Sequence, residues 1–228
     1  MTSECLVYDE VPHVDDALLA RCANLPTAAF SDAMQRFGGA VGLAPVTANN
    51  ADGRTVHLVG HALTVQTRPG DNLMVHKAAD LATPGQVLVI DAGAQTDRAI
   101  VGGLLASYAQ KRGVAGIVLD GAVRDLSELA ELNIPIFARG VSHLGPYKDG
   151  PGVIRGNIAV GGTAVCHGDL VVGDEDGIVF IPRHRAADVI AAAEAVVERE
   201  RTITSAINDD SWDRSWVDAG ITVQRVSR

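Results

Sequence analysis

Aromatic side chains are scarce, with only 4% of the 228 residues being Phe, Trp or Tyr. A chain so poor in rings has little with which to stack bases or sugars. Positive charge is also in deficit: 19 Lys and Arg stand against 28 Asp and Glu, for a formal net charge of -9, and the basic residues form no cluster. Binding to a phosphate backbone normally requires a lysine and arginine face, so no nucleic-acid partner is expected. No apolar run approaches the roughly 20 residues that cross a bilayer. The start, Met1-Thr2-Ser3-Glu4-Cys5-Leu6, lacks the basic end and apolar centre of a secretory signal. Neither a membrane nor export is therefore expected. Cysteine is limited to Cys5, Cys22 and Cys166, an odd number at unrelated spacings that reads as reduced thiols in a cytoplasmic protein.

What is abundant is Ala, Val and Gly within a 47% hydrophobic composition. That composition suits a single domain over residues 1–228 whose core packs small aliphatic side chains between closely approaching elements. Residues 14–24 read as an amphipathic helix with acids in its first turn, and Thr27 to Phe37 as a second helix stopped by Gly38-Gly39. Arg54 to Gln66 reads as one bent or two short strands broken at Gly60. A turn at Arg68-Pro69-Gly70-Asp71 leads into a short helix from Asn72 to Asp80. Its His76 reads as an ordinary helix histidine.

Two buried strands, Gln86–Asp91 and Ala115–Leu119, flank a helix that starts at Gly103, reaches Arg112 and stops at Gly113. Strands joined by one helix are parallel neighbours, so Gly103 and Arg124 should share a sheet edge. The first turn of that helix, Gly102-Gly103-Leu104-Leu105, offers unpaired N–H groups with no side chain in the way, a site for a carboxylate or phosphate. Arg124 supplies a fork of donors, and Asp125 a hard oxygen ligand suited to magnesium or manganese. Taken alone, Arg124-Asp125 reads first as a structural ion pair. Asp97, in the loop before the glycines, is positioned in sequence to support metal-bound water. A strand at Ile134–Phe137 precedes a Gly- and Pro-rich connection from Gly140 to Gly152, holding His143 and Lys148, that reads as a lid or interface loop. The acids of Gly173 to Gly177 read as a hairpin turn, because the twelve-residue loop of an EF-hand is missing. From about residue 183 a long charged helix begins, too polar at its far end to be covered by its own domain.

Gly103, twenty residues, Arg124-Asp125, two residues and Glu128 form a pattern that resembles the 4-hydroxy-4-methyl-2-oxoglutarate aldolase and RraA-like family. The likeness extends to Leu25 through Ala33, Arg68 through Asn72, Asp120 through Asp125 and Gly168 through Gly177. The resemblance implies a layered α/β sandwich with a central mixed sheet of the swivelling β/β/α type, assembled as a homotrimer or homohexamer with sites between subunits. It implies an Mg2+-dependent aldolase, with Mn2+ as an alternative, that releases pyruvate and decarboxylates oxaloacetate through the same enolate. In that setting the amides of Gly102 to Leu105 hold the substrate carboxylate, Asp125 binds the metal and Arg124 stabilises the enolate oxygen. A glutamate of the adjacent subunit, Glu198 or Glu200, completes the site. No histidine or lysine stands beside the motif in sequence, so metal-bound water assisted by Asp97 or that glutamate is the expected base. The alternative implied by the same likeness is a regulatory protein that binds and inhibits ribonuclease E.

Overall fold

The computed structural model describes residues 4–46 and 57–226. In chain order its elements begin with β1 (Cys5–Val7), α1 (Asp16–Cys22), α2 (Thr27–Ala33), β2 (Gly39–Ala40), β3 (Ala44–Pro45), β4 (Leu58–Thr67) and α3 (Leu73–Leu81). Next come β5 (Gln86–Asp91), β6 (Ala99–Val101), α4 (Gly103–Lys111), β7 (Gly116–Val123), α5 (Leu126–Ala130) and β8 (Ile136–Val141). The chain continues with β9 (Gly152–Ile154), β10 (Ile158–Val160), β11 (Thr163–Val165), β12 (Leu170–Asp174) and β13 (Gly177–Ile181). Helices α6 (Ala186–Asn208) and α7 (Ser215–Gly220) follow.

One mixed sheet runs β2-β13-β12-β4-β5-β7-β8-β3, parallel from β4 through β5 and β7 to β8 and antiparallel elsewhere along that path. Alternation along each strand sorts its side chains between cores. Leu88 and Ile90 of β5 join α3 and α4 in one cluster, while Val87 and Val89 face an inner cluster with Phe137, Val171 and Phe180. On the other half of the sheet Leu170, Val172, Val179 and Ile181 pack against α1, α2 and α6. The sheet is thus covered by helices on both outer faces, with its two halves and the β10-β11 hairpin meeting inside. This is the expected layered sandwich, with the mixed sheet at its centre. Small residues permit the close approaches: a Cβ on Gly60 would lie 2.5 Å from the Gly85 carbonyl oxygen.

Several boundaries differ from the sequence reading. Helix α2 stops at Ala33 instead of Phe37, because Gln35 and Arg36 turn left-handed at φ 57° and 67°. Gly60 does not break its strand; β4 is continuous, and Arg54 to Val56 lie outside the described residues. β7 runs past Leu119 to Val123, and β8 starts at Ile136 and extends to Val141, so the predicted strand at Ile134–Phe137 is shifted. The carboxyl-terminal helix buries Val189, Ile190, Ala193 and Val196 in its own domain, and its next turns are mostly exposed.

Candidate active site

Register builds the site. β6 lies parallel to the end of β7 with Val101 opposite Val123, and the Arg124 amide donates to the Val101 carbonyl at 3.0 Å. The residues that follow, Gly102-Gly103 and Arg124-Asp125, therefore emerge side by side although more than twenty positions separate them. Glycine is required here by space. A Cβ on Gly102 would sit 2.5 Å from Asp125 Oδ2, and one on Gly103 would collide with the Glu128 carboxylate.

α4 begins immediately at Gly103, and its first intrahelical acceptor is Gly102, whose carbonyl receives the Ala106 amide at 3.1 Å. The earlier amides have no partner within the helix. The Gly103 amide donates to Asp125 Oδ2 at 3.2 Å, leaving the Leu104 and Leu105 amides at the positive end of the helix. Arg124 Nε lies 3.3 Å from the same Asp125 oxygen. Asp125 itself is left-handed, at φ 61° and ψ 44°. A non-glycine residue held there is strained, and such strain is retained where the surroundings fix it. Glu128, one turn into α5, leans over Gly103 and brings a second carboxylate to the glycine pair.

Gly102, Leu104, Leu105, Arg124 and Asp125 line a cavity of about 110 Å³ together with Asn72, His76 and Lys148. Asn72 is buried and donates from Nδ2 to the Ile100 carbonyl at 2.9 Å, tying the start of α3 to β6. His76 Nε2 lies 3.3 Å from Lys148 Nζ. An ammonium can only donate, which makes Nε2 the acceptor. Burial and then the Lys148 charge lower the His76 pKa, against the opposing pull of Asp80, so the ring stays neutral further into the acid side than an ordinary histidine. A more open groove of about 580 Å³, lined by Leu6, Gln66, Arg68 and Val153 among others, is larger. It has no helix amino end or Arg124-Asp125 pair, and the smaller cavity is the better site on chemical grounds.

Gly102, Leu104, Leu105, Arg124 and Asp125 thus meet at one cavity, with Gly103 at its edge. Asp97 does not line it: that residue is exposed, and its backbone carbonyl receives the Ser142 hydroxyl at 2.6 Å. Glu198 and Glu200 are exposed on α6, which packs on α1 and α2. Within one chain they belong to the opposite helical layer from α4. No histidine or lysine is beside the motif in sequence, but the fold brings His76 and Lys148 to its cavity. Their separation in sequence hid them, and the stretch Arg68 through Asn72, directly before α3, was the nearest signal.

Among the described residues no three His, Cys, Asp or Glu side chains converge as a metal cage. Magnesium does not need one, since it commonly takes one or two carboxylates and completes its shell with water and substrate. Asp125 and Glu128, hard oxygen donors flanking the glycine pair, fit that mode.

Comparison with known proteins agrees with this architecture. The RraA-like family model, described as aldolase/RraA, matches residues 27–180. A Halalkalibacterium halodurans protein provisionally named as a 4-hydroxy-4-methyl-2-oxoglutarate aldolase is 38% identical over 188 residues, covering 82% of this chain and 87% of that protein. A Thermus thermophilus protein named 4-hydroxy-4-methyl-2-oxoglutarate aldolase is 38% identical over 49% of this chain and 68% of its own length. Among solved structures, an uncharacterized Pseudomonas syringae protein superimposes with a TM-score of 0.78 at 29% identity, covering 89% of this chain and 93% of that one. The RNA-processing inhibitor RraA from Thermus thermophilus gives 0.61 at 30% identity, covering 69% and 92%. With its family model spanning most of the sheet and the Gly103, Arg124-Asp125 and Glu128 constellation assembled at one edge, this chain belongs to the RraA-like (aldolase/RraA) family.

Proposed function

We propose that this chain is an aldolase that cleaves the C3–C4 bond of a 4-hydroxy-2-oxo acid, with 4-hydroxy-4-methyl-2-oxoglutarate the first substrate to test, and releases pyruvate. The observation that carries this reading is the juxtaposition of a helix amino end, the Arg124 guanidinium and the Asp125 carboxylate around a single cavity, with Glu128 against the glycine pair beside it. The names of the relatives at 38% identity support the same reaction class.

In this reading the Leu104 and Leu105 amides bind the carboxylate next to the 2-oxo group. Asp125, with Glu128 beside it, holds a divalent cation, Mg2+ or Mn2+. When bound, that cation polarises the 2-oxo group as a Lewis acid. Arg124 donates to the keto oxygen, where charge gathers as the C3–C4 electron pair passes to C3 and forms pyruvate enolate. Donors aimed at developing charge act selectively on the transition state. Neutral His76 accepts the 4-hydroxyl proton as C4 becomes a carbonyl, and Lys148 pairs with the second carboxylate of the substrate. Return of that proton from His76, directly or through water, to C3 then gives pyruvate and restores the neutral ring. Oxaloacetate would lose carbon dioxide to give the same enolate, so decarboxylation should accompany cleavage. One of the two exposed glutamates, Glu198 or Glu200, would complete the site of a second copy in a homotrimer or homohexamer.

The test is pyruvate release from 4-hydroxy-4-methyl-2-oxoglutarate, its 4-carboxymethyl relative and oxaloacetate. Chelation should abolish release and added magnesium or manganese should restore it; undiminished release after exhaustive chelation would remove the metal from the mechanism. The second reading, a regulator of ribonuclease E, is supported by the likeness to RraA of Thermus thermophilus. Inhibition of that ribonuclease, with no pyruvate released from any of the three acids, would select it.

A further inference from the structure

Lys148 sits on the connection between β8 and β9, a poor place from which to aim a charge unless the backbone is held. The hold is a single buried carboxylate. Asp71, whose side chain is 0% exposed, accepts the amides of Asp149 and Gly150 on Oδ2, both at 2.8 Å, and the Leu73 amide on Oδ1 at 2.9 Å. Arg68 adds a guanidinium hydrogen bond to Oδ2 at 3.1 Å. Its neighbours lace the same segment down: the Tyr147 amide donates to the Gly70 carbonyl at 2.8 Å and the Asn72 amide to the Tyr147 carbonyl at 3.1 Å. One oxygen thus fixes the two residues after Lys148, while the other fixes the start of α3, which carries His76 one turn later. Burial opposes the charge on Asp71, but the three amides and Arg68 outweigh it and lower the pKa.

We propose that Asp71 is a positioning residue that sets Lys148 against His76 by tying the 147–150 segment to the amino end of α3. The role of Lys148 rests on the proposed reaction, whereas the tether itself does not. Asp71→Asn keeps the size of the side chain but replaces one acceptor oxygen with a donor, which cannot serve the amides it meets.

The experiment compares Asp71→Asn, Lys148→Ala and the double variant in the magnesium-loaded full chain. Each single variant should raise the KM for oxaloacetate about tenfold, a loss of about 1.4 kcal/mol. Inhibition by pyruvate, which has no second carboxylate, should change less than about twofold on the same scale. The double variant should be no worse than Lys148→Ala alone, since a tether has nothing left to position once the charge is gone. Equal weakening toward oxaloacetate and pyruvate, or defects that multiply in the double variant, would overturn the proposal. Amide hydrogen exchange supplies a readout independent of turnover. Asp71→Ala, which removes both acceptor oxygens, should accelerate exchange at 147–150 while β5 and β7 stay protected, and Lys148→Ala should not. Unchanged exchange at 147–150 overturns the tether. Failure of the unsubstituted chain to release pyruvate from any acid sinks the aldolase reading and leaves the exchange result to judge the tether.

Discussion

Arg68–Asp71, just before the cavity-lining Asn72, and Arg124–Asp125, in the cavity wall, are both arginine–aspartate pairs, yet their surroundings are opposite. Asp71 has a side chain 0% exposed and is saturated by three amides and a guanidinium, whereas Asp125 is 36% exposed and holds its two partners at 3.2 and 3.3 Å. A buried carboxylate that already accepts four hydrogen bonds, three of them on Oδ2, has little capacity left for a metal, but it fixes what surrounds it. One on a strained residue at a rim contributes little to stability and keeps capacity for a ligand. In the proposed reaction, holding falls to the Arg68–Asp71 pair and reacting to Arg124–Asp125.

That contrast predicts opposite losses. The largest effect should be Arg124→Ala, which removes a donor used as charge develops and should lower turnover on the order of a hundredfold or more. Asp125→Ala should reduce turnover and metal affinity together. Thermal unfolding of both variants should stay near that of the parent chain, and a large fall in Tm would break the comparison.

Asp71→Ala should behave in the reverse sense, stranding one buried amide, that of Gly150, and the part-buried amides of Leu73 and Asp149, and costing about 3 kcal/mol of stability. Denaturant titration reads this directly. The pH dependence has a defined sign: the folded pKa of Asp71 is depressed, so its contribution is complete above the unfolded value of about 3.9 and is lost as the pH falls through the folded value. The stability gap between parent and variant should therefore narrow on strong acidification. A gap that widened below that range would contradict the tether. The smallest effect sharpens the contrast. Glu198 and Arg201 form an ion pair at 3.3 Å with both side chains more than 70% exposed, and Arg201→Ala should cost no more than a few tenths of a kcal/mol.

Hydrophobic runs made the central strands legible: Gln86–Asp91 is unbroken and buried on both faces, and the structure places it as read. α4 was equally legible, because Gly103 opens it and Gly113, at φ 82°, follows its end. Edges were less so. β7 and β8 continue past the expected ends because parallel neighbours, including the short β6, supply hydrogen bonds that no local pattern announces. Gly60 looked like a break but serves a close approach to Gly85, a contact made across the sheet.

The sequence by itself determined the elements whose cause is local: the apolar strands, the glycine-opened helix, and the pairing of Arg124 with Asp125 through adjacency. The family was also readable, because its motif is a spacing along the chain. Tertiary structure alone decided that Val101 and Val123 share a register, so that two distant dipeptides form one rim. It alone brought His76 and Lys148 within 3.3 Å across 72 positions, through a carboxylate whose ligands are backbone amides. Every residue type offers such an amide, so side-chain identity carries no trace of the contact.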